Sequence, residues 1–176
     1  PPPAEQLNLQ AESLPLRRLN VGATHVFNVF AQNWWNAAGL QVSAGEHYRI
    51  TAAGQWKDLD NSCDADGYAS NSTLLKLFEG TRRVESALWF ALIAVVHGAP
   101  DLEARNSHGG GVIVGAFESW RDQVAKIDAA SQCVRIGKAG DVTVGADGYL
   151  YAFANDSAFA YDNNAGFLEV TIQRVA

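Results

Sequence analysis

The amino-acid sequence predicts an all-β fold: an antiparallel β-sandwich with one short helix in an insertion. Three observations predict it. Short runs alternate apolar and polar residues with the period of two that a half-buried strand requires. Turn residues (Gly, Asn, Asp) separate those runs at short intervals. Only one stretch has helical spacing, and many short strands with little helix pack as a sandwich or a barrel.

Taken in order, residues 1–22 form an extended lead-in, with Pro1, Pro2, Pro3 and Pro15 breaking any long helix. A strand follows at THVFNVF (24–30), then the polar-aromatic loop AQNWWNAAG. LQV, the turn SAGE and HYRITAAGQW come next, with Tyr48, Ile50 and Ala52 on one face. ALIAVV (91–96) has the apolar run of a buried strand. DVTV (141–144), the ADG turn and YLYAFAND (149–156) have the pattern of a hairpin, because Asp-Gly favours a tight turn with positive φ. In the last strand, 167–175, Leu168, Val170 and Ile172 alternate with Glu169, Thr171 and Gln173. Residues 98–132 stand apart as an insertion carrying a short strand and one amphipathic helix. In that helix, 117–128, Trp120, Val124 and Ile127 share one face. The Gly109–Gly111 run before it lacks the Lys and Ser/Thr of a phosphate loop and marks a turn. The domain proper therefore covers 23–176, interrupted by 98–132.

Composition narrows the function. Of 176 residues, 48% are hydrophobic and 18% charged, which places the chain among globular proteins. The net charge of −6 disfavours nucleic acid and anionic membranes, both of which need a basic patch. Carboxylates suit a hard cation such as calcium. The longest apolar run, Ala87–Val96, is about half a membrane span, so no membrane insertion is expected. Cys63 and Cys133 are compatible with one disulfide or with two buried thiols. His25, His47, His97 and His108 are scattered without zinc spacing. PPPAEQ at the start has the look of a segment that follows a removed signal peptide, and implies a secreted or periplasmic bacterial protein.

Residues 155–170, NDSAFAYDNNAGFLEV, crowd Asp156, Asp162, Asn163 and Asn164 before the last strand. A turn needs one or two such residues; calcium needs about six to eight oxygens from carboxylates, amides and main-chain carbonyls. The spacing is not that of an EF-hand. On composition alone both a capped turn and a metal loop fit. The pattern Asn-Asp, short loop, Tyr, one residue, Asn-Asn, one residue, Gly resembles the signature of the bacterial galactophilic lectins of the PA-I type. GLQVSAGEHYRITAAGQW, FALIAVVHG and VRIGKAGDVTVGADGYLYAFAND resemble successive strands of that family, in the same order, on either side of the insertion.

The resemblance implies a galactose-binding-domain-like or jelly-roll-like sandwich and a bound Ca²⁺ that sugar hydroxyls ligate directly. Position by position, Asp156 would supply a carboxylate, Ala160 a main-chain carbonyl, and Asn163 and Asn164 amide oxygens. A further main-chain carbonyl falls in KDLDNSCDADG, at Asp58 with Leu59 and Asp60 beside it. Asp156, Asn163 and Asn164 would also bond the sugar. Asn71 takes the position of the family's sugar-contacting His and Leu74 that of its Gln, a departure at the residues that select galactose. The expected function is calcium-dependent binding of a galactoside or related glycan, with no catalysis. The other reading is a structural or protein-interaction domain that calcium only fastens. Lectins of this type are commonly multivalent, which makes a homo-oligomer an expectation.

Other features have plainer explanations. Asp60, Asp64 and Asp66 suit a solvated acidic loop better than a second calcium site. Trp34 and Trp35 suit a core better than a sugar-stacking platform. Glu118 and Asp122, four apart on the helix, suit a solvated face better than a glycosidase pair. No G-x-S-x-G nucleophile is present.

Overall fold

The computed structural model describes residues 16–70, 72–106 and 114–176, apart from the side chains of residues 74, 75 and 114–121. In chain order the elements are β1 (Thr24–Phe30), β2 (Asn36–Val42), β3 (His47–Asp58), β4 (Asn61–Cys63), α1 (Thr73–Leu77), β5 (Leu92–His97), α2 (Val114–Ala129), β6 (Gln132–Arg135), β7 (Ala139–Thr143), β8 (Gly148–Ala154) and β9 (Asn164–Arg174). Short 3₁₀ turns occupy Glu79–Thr81, Leu102–Arg105 and Tyr161–Asn163. One sheet runs β1-β9-β3-β4, with β7 also paired to β3; the other runs β2-β8-β5-β6. Every pairing between these strands is antiparallel.

The two sheets meet through their apolar faces. Tyr48, Ile50 and Trp56 of β3 and Leu168, Val170 and Ile172 of β9 face Leu92 and Ala94 of β5 and Leu150 and Ala152 of β8 in one buried cluster. The face expected for Tyr48, Ile50 and Ala52 is the one observed. Each large apolar side chain removed from water here stabilises the fold by about 2 kcal/mol. The period-2 alternation of β9 has its cause in this arrangement, since its other face is open to solvent.

β5 and β8 do not alternate, because both of their faces are covered. On the outer face, Ile93, Val95, Tyr151 and Phe153 join Trp34, Trp35, Leu102, Tyr161 and, from α2, Val124 and Ile127 in a second buried cluster. Leu102, Val124 and Ile127 thus pack the 98–132 segment against the outer face of the four-stranded sheet. Trp34 and Trp35 belong to this second core, stacked edge to face at 5.8 Å, and give no exposed platform.

Several expectations need correction. β7 and β8 do not form a hairpin: β7 pairs with β3 in one sheet and β8 with β2 and β5 in the other. The Ala146–Gly148 segment is an arch between sheets, tied by Asp147 Oδ1, which accepts from the Ala44 amide at 2.9 Å. Gly148 belongs there because a Cβ would lie 2.7 Å from the His97 carbonyl oxygen. β2 begins at Asn36, inside the expected loop, and carries a register shift between Ala37 and Leu40. β4 and α1 were not expected. Between residues 98 and 131 no strand is present among the described residues, and α2 starts at Val114; the Gly109–Gly111 turn lies outside the described residues. Both thiols are free: Cys63 packs against the inter-sheet core and Cys133 against the outer cluster. Burial raises each to about 11.

Candidate functional site

The site grows from the ends of β3, β8 and β9. β3 and β9 pair over their whole length, and the register sets Asp58 opposite Asn164. Past Asp58 the chain reverses through Leu59 and Asp60 into β4. Leu59 takes φ +51°, a left-handed conformation that costs a branched residue roughly 1–2 kcal/mol. Its amide donates to the Asn163 carbonyl at 3.3 Å, which holds the hairpin tip against the 156–164 loop. The expected ligand segments are therefore adjacent because one strand pair ends there.

β8 delivers Asn155 and Asp156. Asn155 is fully buried; its Oδ1 accepts from the Val84 amide at 2.9 Å and its Nδ2 donates to the carbonyls of Val84, Ala87 and Leu88. One side chain thus fastens the 84–88 segment to the end of the strand. Gly67 sits where a Cβ would lie 2.1 Å from the Trp89 carbonyl oxygen, which lets Tyr68 pair with Trp89 across the cleft.

Asp156 is 2% exposed. Its Oδ1 accepts from the Ser157 amide at 2.6 Å and its Oδ2 from Asn164 Nδ2 at 2.9 Å. Burial pushes this carboxyl up to about 6; the bond from Asn164 resists, the Asp58 charge adds to the rise, and Ser157 and Arg83 oppose it. Asp58 itself accepts from the Tyr68 hydroxyl. Burial and that bond hold Tyr68 above its usual range.

Asp58, Leu59, Asp60, Asp156, Ala160 and Asn163 all line one cavity of about 580 Å³. Of the expected ligands only Asn164 is absent from the lining. It is buried, donates to Asp156 and to the Ala31 carbonyl, and keeps its Oδ1 without a hydrogen-bond partner. Asn71 lies outside the described residues, as does the Leu74 side chain. Among the described residues no three His, Cys, Asp or Glu side chains converge as a metal cluster. The oxygens gathered here are carboxylates, amides and main-chain carbonyls. Asp64 and Asp66 are taken up elsewhere, by Lys138 at 2.7 and 3.4 Å.

The residue that sequence reasoning missed is Arg83. Its side chain is 1% exposed and forms a bidentate pair with Asp128 of α2 at 2.9 and 2.8 Å. It also donates to the Trp34 carbonyl and the Tyr161 hydroxyl, and its guanidinium lies 3.5 Å from the Phe153 ring centroid. Burial opposes the charge, but Tyr161 and Asp128 offset it and hold the group above its usual value. The Arg83 amide donates to the Asp156 carbonyl at 3.1 Å. Tyr161, the Tyr of the loop pattern, donates to the Ala154 carbonyl at 2.5 Å. TRRVES shows no apolar periodicity, so nothing in it marked a buried cation.

No protein-family model and no curated protein sequence matches the chain. A solved structure described as the EclA N-terminal domain, a PllA-like lectin, superposes on 85% of this chain and 95% of its own length, at 18% identity and a TM-score of 0.50. At that identity the likeness shows the fold alone: the chain shares that domain's β-sandwich. A structure of Bacillus endospore appendages, disulfide-linked pili, covers 88% of this chain and 87% of its own at 8% identity and a TM-score of 0.21, a value on which no argument rests.

Proposed function

We propose that the protein is a non-catalytic carbohydrate-binding protein of the PA-I type, in which a Ca²⁺ at the 156–164 loop receives sugar hydroxyls. The observation that carries the reading is Asp156: a carboxylate buried at the edge of a cavity with a second carboxylate, Asp58, on the same lining. A buried carboxylate beside the half-buried Asp58, on a cavity lining that carries no Lys or Arg among the described residues, favours binding a cation. The residues fit calcium rather than zinc, since every donor is an oxygen. Asp156 and the amides of Asn163 and Asn164 would hold it, with main-chain carbonyls at Ala160 and Asp58. The partnerless Oδ1 of Asn164 is an acceptor of the kind such an ion satisfies. When bound, the ion supplies coordination positions that vicinal hydroxyls of a sugar take from water.

The chain's own part is to hold the oxygens in place. Asn164 orients Asp156 from behind, Asn155 and the Arg83 amide fix its backbone, and the exposed Asn163 is free to meet the ligand. A galactoside is the first sugar to test. Calorimetry of the chelated protein with calcium, then with methyl galactoside and a small glycan panel, tests the reading. Sugar binding that EDTA abolishes supports it. Calcium binding with a silent panel moves the function to a fastened interaction domain, and no calcium binding sinks both.

A further inference from the structure

Among the described residues nothing covers the outer face of the five-stranded sheet. Alternate residues of β1, β9 and β3 point away from the core there, and the register aligns them in rows. Phe30 lies opposite Phe167 and Phe167 opposite Gln55; Asn28 lies opposite Glu169 and Glu169 opposite Ala53. All six are exposed. Phe30 and Phe167 remain 41% and 48% exposed, with ring centroids 5.5 Å apart and planes tilted by 48°. One exposed apolar side chain is ordinary, but two rings held side by side by strand register on an open sheet make a platform.

Beside Phe167 the sheet dips. A depression of about 400 Å³ is lined by Ala53, Gly54, Gln55, Gly166, Phe167 and Glu169, and the two glycines put no side chain into it. Its polar side chains are one amide and one carboxylate. Gln55 is steadied by the Ser62 hydroxyl, which donates to its Oε1 at 3.3 Å. Among the described residues no cation pairs with Glu169. Aromatic carbon takes the C–H face of a pyranose, while an amide and a carboxylate take its hydroxyls. The size of the face argues against a protein partner. Between the Arg49–Asp141 ion pair and Lys57 lie residues 50–56 of β3. Seven residues at about 3.3 Å, across three strands about 4.8 Å apart, give roughly 300 Å². A stable protein interface needs about 800 Å² from each partner. A few sugar rings need no more than the face offers.

We propose that this face is a second, calcium-independent carbohydrate site, which takes an extended, neutral, β-linked glycan chain laid across the strands from Phe30 to Gln55. It stands apart from the calcium–sugar reading above and does not depend on it. The 5.5 Å between the rings is close to the rise of one residue in an extended pyranose chain, so neighbouring sugars meet neighbouring rings. The 48° tilt suits a soluble chain whose successive rings turn, and not the flat surface of a crystalline fibre. The unpaired charge of Glu169 repels an acidic polysaccharide and leaves a neutral one as the ligand.

Titration of the full chain in EDTA with the β-1,4-linked hexasaccharides of glucose, xylose and N-acetylglucosamine tests it, with maltohexaose as the coiled, α-linked control. At least one β-linked hexasaccharide is expected to bind about tenfold more tightly than its own disaccharide and than maltohexaose. Phe30→Ala and Phe167→Ala should each weaken that binding about three- to tenfold. In the parent protein, NMR amide shifts should move at Phe30, Gln55, Phe167 and Glu169, a readout that needs no variant to fold. Shifts confined to the 156–164 loop overturn the site, as does an affinity that both Phe variants retain. Silence of all three hexasaccharides, or equal binding of maltohexaose, overturns it as well. Dimerisation in the ultracentrifuge that Phe167→Ala abolishes would give the face to a second copy of the chain and sink the glycan site. The calcium–sugar reading is measured separately, with methyl galactoside in calcium, and none of these outcomes touches it.

Discussion

Asn164 donates from Nδ2 to Asp156 Oδ2 at 2.9 Å while its own Oδ1 stays buried and partnerless. Its neighbour Asn163 is exposed on the cavity lining. The two asparagines are next to each other in sequence and do different work, because β9 begins at Asn164 and turns its side chain inward. Asn164→Ala removes bonds to Asp156 and to the Ala31 carbonyl and should cost about 1–3 kcal/mol in calcium-free stability. Asn163→Ala should change that stability by less than about 0.5 kcal/mol. Both should weaken calcium and sugar together. Urea denaturation in EDTA, set beside calorimetry with calcium, separates the two roles; equal destabilisation by both variants would contradict them.

Asp156→Asn keeps the shape and removes the charge. In the calcium-free protein a buried carboxylate is the unfavourable form, so this variant should be as stable as the parent or more so at pH 7.5. Calcium binding should be lost, and sugar binding with it. Asp156→Ala should lose both as well while the fold is retained. Glycan affinity surviving in either variant refutes a calcium-bridged sugar.

The raised Asp156 carboxyl gives a pH dependence of definite sign. Its folded value is about 6 against 3.8 for the ordinary group, so between those values the folded chain holds a proton that the unfolded chain has released. Its contribution makes calcium-free stability fall as pH rises from about 4 to about 6, by about 3 kcal/mol at most, and then level off. Asp64, lowered by its bond from Lys138, acts in the opposite sense, and its effect is lost only in more acid solution. With calcium the order reverses, because the ion needs the carboxylate and its affinity should drop as pH falls through about 6. Thermal melts at pH 5 and 7, each with EDTA and with calcium, check both signs. Asp156→Asn should flatten the EDTA pair.

The strands were legible where one physical cause acts alone. β9 alternates because one face is buried and the other wet, and β5 is apolar throughout because both faces are covered. The crowding of oxygens at 156–164 was legible by spacing, and the β3–β9 register shows why Asp58 belongs beside it. The ADG segment misled, since Asp-Gly suits a hairpin turn and an arch equally well at the level of backbone φ. What decides between them is the partner each strand finds, Val142 opposite Tyr48 and Tyr151 opposite Val95, which no local pattern carries. The buried Arg83 was invisible for the same reason: its partners come from Trp34, Asp128 and Tyr161.

That buried pair makes the last prediction. Arg83 joins α2 to the loop that carries Asp156, so the helix is tied to the site by charge and not only by packing. Replacing Asp128 by Ala leaves a guanidinium buried under Phe153, Trp35 and Tyr161 without its carboxylate, and should cost about 3–5 kcal/mol. Arg83→Met alone should be costly too, since it strands Asp128, the Trp34 carbonyl and the Tyr161 hydroxyl. Arg83→Met combined with Asp128→Leu removes both charges and should recover much of the loss, because apolar replacements of a buried ion pair are often near neutral. Denaturant unfolding of the two single variants and the double gives the coupling energy directly. Strictly additive effects would show that the pair is not coupled, leaving apolar packing such as that of Val124 and Ile127 to hold the helix.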